Sequence, residues 1–213
     1  MAPEAWNADD LASLVETAHG TDRAHAARQV ARAMVREGRY AELHARQFLA
    51  LADSVDTSGH RDPGRGAMVT MARALERLPG GESFSEGRLA GGAHLLALVR
   101  SLHVAVDLCA TVVFEALDVE RLSGGRLTLR SVYPVKVEEA LRSARAHEPV
   151  ADALKALREG ESVVYVKDVS NASKHRTLVE VPYTVSMKFD GSGSPYGVRV
   201  AAFSFDGREH PAR

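Results

Sequence analysis

Residues 89–117 limit the possible folds of this chain more than any other stretch. They carry the longest helical signal, and from 95 to 117 the segment is nearly continuous in apolar residues. Its length would let a helix cross a bilayer. Arg100, His103, Asp107 and Glu115 fall inside it, however, and each central charge is expensive in lipid. The expectation is the central helix of a bundle, away from membrane and buried on most sides. Its polar residues form one stripe, Arg100, His103, Asp107, Thr111 and Glu115, because steps of three and four residues return to the same helical face. Three readings stand: a narrow solvent-facing edge, a polar seam turned toward a later helix, or a small-ligand pocket lined by Arg100, His103 and Asp107.

The rest of the composition is that of an ordinary globular chain. Hydrophobic residues make up 45% and charged residues 26% of 213 positions, enough for a core that buries roughly 70% of the unfolded surface. The formal net charge of −1 argues against a strongly electrostatic nucleic-acid binder but leaves room for a local basic patch. A single cysteine, Cys109, excludes an internal disulfide and a Cys-rich zinc site. The opening MAPEAWNADDLASLVE lacks the basic-then-apolar order of a signal peptide. Both observations point to a cytoplasmic protein.

In chain order, Asn7 is a natural N-cap, with Asp9 and Asp10 in the first turn and Gly20 as the stop. Thr21 opens a second helix to about residue 37. Its row Arg23, Arg28, Arg32 and Arg36 is the most basic helical face, read as a solvated face ahead of a phosphate-binding one. A third helix spans about 40–54, a Gly-, Pro- and Asp-rich loop 56–66 and a fourth helix about 67–78. Residues 83–87 are expected to be irregular. After the long helix, residues 126–132 alternate enough for a short strand. Pro134 and Pro149 then suit the first turns of two short helices, about 135–144 and 149–158. Beyond residue 176 the period drops to two, which predicts a strand over 181–189, a turn over 190–197 and a returning strand over 198–205. The fold class expected is mainly α: a multi-helix bundle around a long central helix, with a small C-terminal antiparallel β hairpin. Residues 1–176 would form the bundle, 177–206 a hairpin packed on it, and 207–213 a frayed tail.

Between bundle and hairpin lies VVYVKDVSNASKHR, residues 163–176. As a helix it has an apolar stripe of Val163, Val166, Val169 and Ala172. On another side Asp168, Asn171 and His175 would converge, with Lys167 and Lys174 at the edges. A carboxylate raises the pKa of a neighbouring imidazole and an amide orients it, so the trio is a candidate acid–base site. The plain alternative is a polar face turned to water. For RNA cleavage Lys167, Lys174 or Arg176 would support the phosphate charge.

Other chemistries lack their residues. His103 and Asp107 stand four apart, but no His-x-x-x-His or Glu-x-x-His pair joins them and the other histidines are dispersed, so neither metal nor cofactor is expected. The glycine pairs lack a phosphate-loop context, and no Gly-x-Ser-x-Gly elbow exists. Cys109 sits in a dense apolar run, which suits an inert thiol.

The string Asn171-Ala172-Ser173-Lys174-His175-Arg176, late in a helical chain after a long central helix, resembles the Asn-x-x-x-His portion of HEPN-like helical bundles. The resemblance implies a prokaryotic defence or stress protein that works as a homodimer, and in many members a metal-independent ribonuclease. His175 matches the family's histidine and Asn171 its polar position. Position 170 is Ser where the family carries Arg, which implies a degenerate member. On this reading Asn171, Lys174 and His175 form the site, flanked by Lys167, Asp168 and Arg176, and the partner is RNA or another protein. The rival expectation is a structural or protein-interaction module in which such residues lock helix to sheet through buried hydrogen bonds.

Overall fold

The computed structural model describes residues 7–56, 81–175, 183–185, 196–198 and 200–212. Among these the fold is mainly α. The helices are α1 (Ala8–His19), α2 (Thr21–Asp56), α3 (Gly81–Ala116), α4 (Val119–Leu122), α5 (Pro134–Ser143), α6 (Glu148–Glu159) and α7 (Glu161–His175). Two antiparallel hairpins follow, β1 (Tyr183–Val185) with β2 (Tyr196–Val198) and β3 (Phe203–Phe205) with β4 (Arg208–His210). The expected loop over 57–66, the helix over 67–78 and the turn residues 190–195 lie outside the described residues, as does Arg176.

Several boundaries follow from local chemistry. The Asn7 side chain accepts a hydrogen bond from the Asp9 amide at 2.9 Å, and α1 stops at Gly20, whose φ of 88° favours glycine. Pro134 and Pro149 sit in the first turns of α5 and α6, where no amide hydrogen is needed. Other expectations are corrected. Residues 21–37 and 40–54 belong to one helix, because Gly38 inside α2 costs only about 1 kcal/mol and Glu37 and Arg39 favour helix. The backbone over 83–87 is already helical, since α3 begins at Gly81. The short strand expected over 126–132 is instead a 3-10 turn, Leu129–Ser131, closed by the Ser131 amide donating to the Thr128 carbonyl at 2.9 Å. Among the described residues no strand pairs with it.

The tail expected to fray is also ordered. Phe203 pairs with His210, Ser204 with Glu209 and Phe205 with Arg208. Asp206 and Gly207 both take positive φ, 51° and 76°, and Asp-Gly is the dipeptide that a tight two-residue hairpin turn prefers.

The chain divides into two compact units, residues Met1–Tyr40 with Arg100–Lys167, and Ala41–Val99 with Asp168–Arg213. In the first unit Ala110 and Phe114 of α3 pack with Val119, Leu127, Val137, Leu141, Ala151 and Leu154. Ala12 and Val15 of α1 pack on Ala24 and Ala27 of α2, with Ala116 of α3 alongside. The end of α3 therefore serves both clusters, and in this sense the long helix is central. In the second unit Val169 and Ala172 of α7 are buried, as is Val200.

The long helix is not buried on most sides. By length and composition its segment Leu89–Ala116 is long and apolar enough to cross a membrane, and only 17% of its most apolar window is buried. Most of its leucines and valines are half-exposed, with Val99 and Val112 the buried exceptions among the described residues.

Candidate functional site

The polar face of α7 differs from its sequence reading in one decisive residue. The expected stripe Val163, Val166, Val169, Ala172 advances three residues at a time, which lags a full turn by about 60° at each step. It therefore winds off the core, and Val163 and Val166 are only half-buried. The buried set is Asp168, Val169, Ser170 and Ala172. Asp168 is 0% exposed.

A buried carboxylate needs partners. Asp168 takes them from β4. Arg208 donates from Nε to Oδ2 and from a terminal nitrogen to Oδ1, both at 2.8 Å. His210 Nε2 lies 2.9 Å from Oδ2, and since an ionised carboxylate only accepts, Nε2 carries the hydrogen. The hairpin explains the convergence: residues two apart on a strand point to the same side, so Arg208 and His210 both reach α7. Phe203, the cross-strand partner of His210, stacks on the imidazole at 4.7 Å with the planes 19° apart. The hydrogen bonds that Arg208 donates to Asp168, with the charge of that carboxylate, raise the Arg208 pKa above its ordinary value against the opposing effect of desolvation. The Asp168 carboxylate is engaged by three charge-assisted bonds. Its chemistry here is to anchor β4 and to orient His210.

The other expected site residues separate from this group. Lys167 and Lys174 are exposed and Asn171 is half-buried. The backbone of His175 ends α7, and its side chain lies outside the described residues. Position 170, where the HEPN-like pattern carries Arg, is a completely buried Ser. Its hydroxyl has no hydrogen-bond partner among the described residues.

The stripe on α3 divides by role. Arg100 is exposed, and His103 Nε2 lies 3.9 Å from Asp107, an ion pair only when the imidazole is protonated. Thr111 donates its hydroxyl to the Asp107 carbonyl at 3.0 Å. Glu115 is buried and bound to Arg23 of α2 at 2.6 Å. The same guanidinium meets Asp118 at 2.9 Å and Glu120 at 2.8 Å, with its carbon 5.7 Å from the Phe114 ring centre. Arg28 and Arg32 both pair with Asp9. Three of the four arginines in the basic row are thus matched by carboxylates of this chain. Burial pushes the Cys109 thiol up, which leaves it protonated at neutral pH and a weak nucleophile. Among the described residues no group of three or more His, Cys, Asp or Glu could hold a metal.

Sequence reasoning missed Arg208 and His210. The signal was Asp206-Gly207 between Phe-Ser-Phe and Arg-Glu-His, which marks a hairpin and so fixes two polar residues on one face. Comparison with protein-family models, with curated proteins and with solved structures finds no match.

Proposed function

We propose that this chain is a non-catalytic helical interaction module that pairs with a second copy of itself. The observation that carries this reading is an apolar surface on the first unit. Leu129 is 57%, Tyr133 57% and Val135 36% exposed, all within seven residues of chain across the 3-10 turn and the start of α5. Aromatic residues such as Tyr133 are enriched at protein interfaces and among their energetic hot spots. The inward placement of Asp168, with Arg208 and His210 committed to it, adds support, since it fits a locking role. Sedimentation of the full chain tests the proposal. Dimers in the wild type and monomers in a Leu129→Asp, Tyr133→Asp variant of unchanged helicity are expected. Monomers in both overturn it.

A second reading rests on the exposed Lys167 and Lys174 of α7, which would contact phosphates in an RNA-binding HEPN-like protein. RNA degradation with and without EDTA, in wild type and His175→Ala, separates the two. Metal-independent cleavage lost in the variant favours a ribonuclease. Salt-sensitive RNA binding without cleavage, lost when both lysines are replaced, favours a degenerate member.

A further inference from the structure

Two histidines far apart in the sequence meet in space. In the second unit His44 of α2 and His94 of α3 meet with their Nδ1 atoms 3.1 Å apart. The ring centres are 5.3 Å apart, and the planes are tilted by 39°. Both side chains are half-buried. Two ring nitrogens this close cannot both present bare lone pairs to each other, so something positive must sit between them: a proton in a hydrogen bond, or a metal ion in its place.

We propose that His44 and His94 form a two-imidazole chelate for a late first-row divalent metal ion such as Zn2+ or Ni2+. The separation fits. With metal–nitrogen bonds of about 2.05 Å, two ligands lie about 2.9 Å apart at a right angle and about 3.4 Å apart at the tetrahedral angle. The observed 3.1 Å falls between these limits. With the nitrogens 3.1 Å apart, an ion at about 2.05 Å from each lies off the line joining them, so each imidazole must pivot to aim its lone pair at the ion. Imidazole is a ligand of Zn2+, Ni2+ and Cu2+, whereas Mg2+ prefers oxygen. Among the described residues no set of three or more His, Cys, Asp or Glu that could hold a metal is assembled. The two histidines come from different helices, so the metal cross-links α2 to α3 within this unit.

The test is calorimetric titration of the full chain with Zn2+ or Ni2+ in imidazole-free buffer, with Mg2+ as control. One ion per chain and a raised melting temperature are expected. His44→Ala and His94→Ala should each abolish that binding, and Mg2+ should not replace it. His44→Gln and His94→Gln keep side-chain bulk and hydrogen-bonding ability, so a folded variant that binds no metal separates ligation from packing. Cu2+ should give an electron paramagnetic resonance spectrum with two coupled nitrogens. Absence of saturable binding, or binding that survives either histidine substitution, overturns the proposal and leaves the pair as a hydrogen bond.

Discussion

Arg208→Ala is the most informative perturbation of the Asp168 anchor. Asp168 is fully enclosed and accepts two bonds from Arg208 at 2.8 Å and one from His210 at 2.9 Å. The substitution removes two of these three. At roughly 1.5–3 kcal/mol per hydrogen bond to a charged group, the ceiling is about 3–6 kcal/mol. Leaving one member of a buried pair alone costs roughly 3–5 kcal/mol. The Arg208 side chain is 47% exposed, so water enters as the guanidinium leaves and the lower end applies, about 3 kcal/mol. For a chain of this size that corresponds to a fall in Tm of about 6–12 °C if unfolding is a single transition. If the two compact units melt separately in calorimetry, the loss appears in the transition of the second unit. Hydrogen exchange at the amides of 203–210 should accelerate, because β4 loses its tie to α7. Asp168→Leu with Arg208→Met, which removes both charges, should be more stable than Arg208→Ala alone. A Tm within about 1 °C of wild type, with unchanged exchange in the hairpin, would refute the anchoring role.

Three further outcomes are expected. Arg23→Met leaves the buried Glu115 beside Asp118 and Glu120 with no guanidinium, and should destabilise the first unit by about 3 kcal/mol in urea melts; a loss below about 0.5 kcal/mol contradicts the ion cluster. Burial works to raise the pKa of Glu138, but hydrogen bonds and charge from Arg142 and Arg158 outweigh it and hold the carboxyl below its usual 4.5. Its stabilising contribution is therefore present above pH 4.5 and is lost as pH falls through the lower folded-state value; Glu138→Gln should flatten the acid limb of the stability–pH curve, and an unchanged slope argues against the network. Arg145 has a φ of 49° in the turn between α5 and α6, so Arg145→Gly should stabilise by about 1 kcal/mol, and a destabilised variant would show that the arginine side chain outweighs the backbone strain.

Helix ends and faces were legible wherever one residue's chemistry sufficed. Asn7, Gly20, Pro134 and Pro149 mark boundaries because capping, left-handed backbone and the missing proline amide are local properties. Period-two alternation announced antiparallel pairing near the C-terminus but not its register: Tyr196 and Gly197, read as turn, pair with Tyr183–Val185, and Phe203–Phe205, read as part of the returning strand, pairs instead with Arg208–His210. Gly38 misled because a single glycine weakens a helix by less than the surrounding residues strengthen it. Residues 126–132 misled because alternation without a partner strand does not make a sheet.

By itself the sequence determined that this chain is mainly helical, where α1, α5 and α6 begin and end, and that polar residues gather on α7. Only tertiary structure decided which of them are usable. Periodicity places Asp168 on a helical face but carries no information about what packs there, and its partners Arg208 and His210 lie 40 and 42 residues away. The same holds for His44 and His94, 50 residues apart in sequence. A carboxylate becomes an anchor, and two imidazoles a pair, only when long-range packing brings the second group within hydrogen-bond reach and excludes water from the first.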